Sequence, residues 1–86
     1  MAGFIKSRNL TYLGISSSAA DVTPSDTVDL TQPGTLFVGD GGNVRVDMVD
    51  GGTVTYNNIA SGTFLPVLIK RVYSTNTTAS DIIVNY

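Results

Sequence analysis

The sequence predicts an all-β domain, a small antiparallel β-sandwich or barrel of about six short strands, with an extended N-terminal arm. Three observations carry this. All seven acids are Asp, and Thr, Val, Asn, Ser and Gly dominate where helix formers such as Glu are missing, which is a composition of strands and turns. The tripeptide Asp-Gly-Gly occurs at Asp40-Gly41-Gly42 and again at Asp50-Gly51-Gly52, each time followed by alternating apolar and polar residues, the strongest short hairpin signal. Short alternating runs separated by turn residues fill most of the chain after residue 20.

Residues 1–19 are read as the arm and 20–86 as a single β-domain. In the arm, Phe4, Ile5, Leu10, Tyr12, Leu13 and Ile15 are scattered among Lys6, Arg8 and three consecutive serines. They follow neither helical nor strand periodicity. So many apolar residues outside a regular element predict docking on the protein's own core or on a neighbour.

Thr23-Pro24-Ser25-Asp26 reads as a turn in which side-chain oxygens bind nearby backbone amides. A short strand at 26–30 is expected after it, closed by Pro33-Gly34. A β-meander is then expected over 35–39, 43–49 and 53–57. A three-residue Asp-Gly-Gly loop pairs Met48 with Val54 and Val46 with Tyr56; the same count at the first repeat pairs Val38 with Val44 and Leu36 with Val46. Both keep apolar partners on one face, as register requires where one face is buried, and both call for glycine at positive φ. Phe37 falls on the opposite face with Arg45, Asp47, Thr55 and Asn57.

Phe64 to Tyr73 is apolar on both parities, with Phe64, Leu68 and Val72 on one and Leu65, Val67 and Ile69 on the other. This predicts a strand covered on both faces, with pairing starting near Val67 because Pro66 cannot donate to a ladder. Lys70-Arg71 marks a bulge. A polar loop at 74–80 leads to a last strand at 81–86, with Ile82, Val84 and Tyr86 on one side.

Eighty-six residues make one domain with a modest core. With no cysteine and no histidine, disulfides, thiolate and imidazole catalysis and the usual zinc sites are excluded. A formal charge of −2 gives no electrostatic case for nucleic acid or an anionic membrane. No stretch approaches the ~20 apolar residues of a membrane span, and the N-terminus lacks the apolar run of a signal peptide. The expectation is a soluble protein made inside the cell. Charged residues are 14% of the chain against roughly a quarter in ordinary soluble domains. Interface cores are depleted in charge, so this deficit predicts a surface covered by partner subunits.

Catalytic and ligand-binding motifs are thin. Ser25-Asp26-Thr27 resembles the Asp-Thr-Gly loop of dimeric aspartic proteases over two residues and departs at Val28, leaving a dimeric hydrolase using Asp26 as a third-ranked reading. Asp40 and Asn43, with Asp47 and Asp50, are the available oxygens for calcium, fewer than the six or so that such a site needs. No glycine-rich phosphate loop is present, and the aromatics are not interleaved with enough basic residues to bind single-stranded nucleic acid. No catalytic, cofactor-binding or metal residues are assigned, and no enzyme is expected.

Several stretches follow one another in a definite order and spacing. These are Val22-Thr23-Pro24-Ser25-Asp26-Thr27, Leu36-Phe37-Val38-Gly39-Asp40-Gly41-Gly42 and Gly52-Thr53-Val54-Thr55-Tyr56-Asn57-Asn58-Ile59. They continue through Gly62-Thr63-Phe64-Leu65-Pro66-Val67, Lys70-Arg71-Val72 and Thr77-Thr78-Ala79-Ser80-Asp81-Ile82-Ile83. In order and spacing they are similar to the head spike base and capsid decoration proteins of tailed phages and gene transfer agents, a resemblance that covers 20–86 and leaves out the arm. It implies a structural virion protein on the capsid exterior, a cement, decoration or head-spike-base subunit made in the host cytoplasm. It also implies a cyclic homo-oligomer, trimer or pentamer, whose partners are the major capsid protein and a spike or fibre protein. Leu68 departs from the polar residue expected there, which suggests extra burial between subunits. The expected subunit contacts are Phe37, Phe64 and Leu68; Phe4, Ile5, Tyr12 and Leu13 are expected to dock the arm on the capsid or a neighbour. The alternative is a tail- or fibre-associated module binding host glycan through Tyr73 with Asn76.

Overall fold

The computed structural model describes residues 16–86; the expectations for Phe4, Ile5, Tyr12 and Leu13 lie outside the described residues. The described chain is all-β, as expected. Its strands are β1 (Ala19–Asp21), β2 (Gly34–Asp40), β3 (Gly42–Met48), β4 (Thr53–Ile59), β5 (Thr63–Val72) and β6 (Ser80–Asn85). All six form one antiparallel sheet in the order β1-β6-β2-β5-β3-β4.

That order overturns the expected meander. Only β3 and β4 form a hairpin between successive strands; β2 pairs with β5 and β6, not with β3. Leu36, Val38, Val44 and Val46 are nonetheless all fully buried in one cluster. They share a side because β5 lies between the two strands and carries the inward parity from Leu65 and Ile69 beside β2 to Val72 beside β3. Asn43 ties the start of β3 to the segment before β6: its carbonyl accepts from the amides of Thr78 and Ala79, and its own amide donates to Thr78 Oγ1 at 2.9 Å.

The two Asp-Gly-Gly repeats therefore do different work. At the second, Met48 faces Gly52 across a three-residue loop, Val49 to Gly51, with Gly51 at φ +99°. The loop length is the expected one, shifted by one residue, so Val46 pairs with Val54 and Val44 with Tyr56. The pairing sum changes by two, so every side chain keeps its expected face. At the first repeat β2 runs almost directly into β3 around a corner. A Cβ on Gly41 would lie 2.2 Å from the Ile59 carbonyl oxygen, so glycine is required there for close approach.

No strand forms at 26–30, which is another correction. Its backbone bonds go elsewhere: Ser25 N donates to Val72 O and Leu30 N to Lys70 O. Ser25 Oγ accepts from the amides of Thr27 and Val28, the expected side-chain-to-backbone turn. The edge strand is β1 instead, paired with β6 from Ala19↔Asn85 to Asp21↔Ile83.

β5 joins the two halves, pairing with β2 through Phe64, Leu65 and Ile69 and with β3 from Ile69 to Val72. It starts before Pro66 rather than after it, since Phe64 and Leu65 already pair with β2. The β2 register shifts between Leu65 and Ile69, which leaves Pro66 in the irregular stretch where a missing donor is tolerated. The expected bulge is present. Met48 faces Ile69 but Asp47 faces Arg71, so Lys70 is the extra residue. It also moves the inward parity from Ile69 to Val72, and both are buried.

Candidate assembly interface

Alternation along β2 sends Leu36 and Val38 into the core and Phe37 to the other face. Phe37 lies opposite Phe64 of β5 and Ile83 of β6, so three apolar side chains form a row across adjacent strands. Phe37 is 36% exposed and Phe64 51%. Further along the same face of β5, Leu68 is 52% exposed beyond the exposed Pro66. Its carbonyl accepts the amide of Val49, itself an exposed apolar residue.

This corrects the expectation that β5 is covered on both faces. Within the described subunit one parity is buried and Phe64, Pro66 and Leu68 face outward. The stretch from Gly51 through Ile69, which supplies Phe64, Pro66 and Leu68, contains no charged residue. Sequence reading singled out Phe37, Phe64 and Leu68 but missed Ile83 and Val49. The cross-strand register that brings Ile83 beside Phe37 has no local signal.

The charged residues form a separate brace around Tyr73. Arg45 stacks over its ring at 4.3 Å from the centroid, Arg71 lies at 5.6 Å, and Tyr73 OH donates to Asp47 Oδ2 at 2.8 Å. Thr53 Oγ1 donates to Asp47 Oδ1 at 2.5 Å. The Thr53 hydroxyl first, then the Tyr73 hydroxyl with Arg71 and Lys70 nearby, hold the Asp47 carboxyl below its ordinary value, against some desolvation. Arg71 Nε meets Asp29 Oδ1 at 2.7 Å, and this bond raises the guanidinium pKa.

Asp26 is a loop tether. Its Oδ1 accepts the amides of Ser74 and Thr75, and its Oδ2 accepts the Thr75 hydroxyl at 2.5 Å. The Thr75 hydroxyl and then the Thr75 amide lower the Asp26 pKa, with Ser74 adding to them and desolvation opposing. A carboxylate so engaged has its acceptor sites committed to protein donors. Three of the four residues weighed for calcium are also engaged: Asp40 Oδ2 accepts from Ser80 Oγ, Asn43 Oδ1 from the Asn58 amide, and Asp47 as above. Among the described residues no three acidic side chains converge. For glycan stacking, the Tyr73 ring already carries Arg45, and Asn76 stands in a turn at φ +69°.

The fold and this surface describe a small single-sheet β-domain with an outward apolar row and charged side chains engaged in bracing. Among solved structures, this chain is similar to one from the capsid of a native GTA particle, a phage-like gene transfer agent, computed with C5 symmetry. The two are 32% identical over 100% of both chains, with a TM-score of 0.78. The chain belongs to the same family as that capsid-particle protein. No protein-family model matches it, and no curated protein does.

Proposed function

We propose that this protein is a non-catalytic structural subunit of a phage-type capsid, placed on the shell exterior as a decoration, cement or head-spike-base protein. The full-length similarity to a GTA capsid-particle chain carries the reading. The outward Phe37, Phe64 and Leu68 support it, because exposed large apolar side chains gathered on one face favour burial between subunits. The subunits form a cyclic homo-oligomer through one repeated contact. The arm, through Phe4, Ile5, Tyr12 and Leu13, docks each subunit on the major capsid protein or on a neighbour, and a spike or fibre protein is the outer partner.

Native mass spectrometry of the purified protein tests this. A pentamer is expected for a subunit on a fivefold position; a trimer would indicate a cement protein on threefold positions. Leu68→Asp should shift the mass to monomer while leaving the thermal unfolding of the domain in place, since Leu68 contributes nothing to the buried cluster. A monomeric wild-type protein that also fails to bind purified shells would refute the reading. Removing residues 1–15 should abolish shell attachment without unfolding the sheet. Full attachment by that truncated protein would eliminate the arm's role.

A further inference from the structure

Away from the Phe37 face, a groove of about 260 Å³ runs between the β1–β6 edge and the 28–32 segment. Val28, Leu30, Val84 and Tyr86 are among its apolar walls, and Asp21 and Asp29 are its acids. Val28 is 65% exposed, more than any other large apolar side chain among the described residues. The volume falls below the ~300–1,000 Å³ of typical small-molecule sites and suits a pair of side chains better than a cofactor.

We propose that this groove seats the segment around Leu10, Tyr12 and Leu13 from the arm of a neighbouring copy. The proposal rests on the homo-oligomer reading above. Charge is the first support. Residues 1–15 hold Lys6 and Arg8 and no acid, a formal +2, whereas 16–86 hold all seven aspartates against Arg45, Lys70 and Arg71, a formal −4; together these make the −2 of the whole chain. Residues 1–15 are thus complementary in charge to the body, and Leu10, Tyr12 and Leu13 supply apolar side chains to pack on the groove's Val28, Leu30 and Val84.

Position is the second support. The amides of Ser17 and Ser18 donate to Tyr86 O, and Tyr86 lines the groove, so residues 1–15 join the described body beside it. Fifteen extended residues span about 50 Å, more than the 40 Å long axis of the protein. Each arm filling the next groove is a head-to-tail contact of the kind that closes into a ring.

Because the chain has no cysteine, engineered thiols report the contact directly. Full-length Leu13→Cys and Val28→Cys proteins, one carrying a mass tag, are co-refolded and oxidised, and native mass is recorded in parallel. The expected result is a covalent dimer joining one tagged to one untagged chain. It should be missing when Val28→Cys is replaced by Thr55→Cys, on the opposite edge strand. A disulfide formed only within single chains of the Leu13→Cys/Val28→Cys double variant would assign the groove to the protein's own arm and overturn the proposal. No disulfide in a protein that remains oligomeric overturns it too and leaves the subunit reading standing. No disulfide in a protein that is monomeric removes both.

Discussion

Phe37 shows what one side chain can reveal. It is the apolar exception on a polar parity, and the sequence marks it for that reason alone. The structure adds that it stands between Phe64 and Ile83 on neighbouring strands. Asp26 and Asp47 make the opposite point, because nothing local announces that they brace Thr75 and Tyr73 from tens of residues away. Their folded pKa values lie below the ordinary 3.8, which sets the sign of their pH dependence. A depressed carboxylate contributes stability that is present above the unfolded value and lost as pH falls through the folded one. Denaturation midpoints should therefore hold down to about pH 3.8 and fall below it. Asp26→Asn keeps an acceptor for the Ser74 and Thr75 amides but cannot titrate. Its profile should be flatter on the acid side, and an unchanged slope would show that the tether does not couple to folding.

Among the elements, the second hairpin was readable because its loop, its glycines and its alternation are local. The first Asp-Gly-Gly has the same letters and a different role, decided by the Ile59 carbonyl rather than by any neighbour in sequence. Two substitutions separate these roles. Gly41→Ala drives a Cβ into backbone and should cost about 1–3 kcal/mol, as overpacking does. Gly51→Ala meets open space but keeps a positive φ, so its cost is conformational, about 1 kcal/mol. Chemical denaturation of both variants checks the pair; equal recovery on adding nearby space-creating substitutions would contradict the distinction. β5 divided in the same way. Its bulge was foreseeable from adjacent Lys70 and Arg71, but its two apolar parities could not say which one the subunit itself covers. Alternation reports that a side chain is apolar, not whether the covering surface belongs to the same chain.

For the whole molecule, the low charge and the exposed Phe37, Phe64 and Leu68 underlie the proposal of association by apolar burial. Screening by salt weakens exposed charge pairs but not such burial. The proposed oligomer through Phe37, Phe64 and Leu68 should therefore keep its mass from ~0.1 M to ~1 M salt, measured by sedimentation on protein lacking residues 1–15. Dissociation at high salt would indicate a charge-held contact instead. Class and core were readable from composition and pattern, whereas strand order was not. The last strand in chain order, β6, sits between β1 and β2, so during synthesis the first strand has no partner until the final one emerges. Pairing so distant in sequence closes large loops and is slow. A chain stopped before Ser80 lacks the strand that ties its beginning to its middle. The row of Phe64, Phe37 and Ile83 is therefore complete only once β6 has been made and has paired with β2.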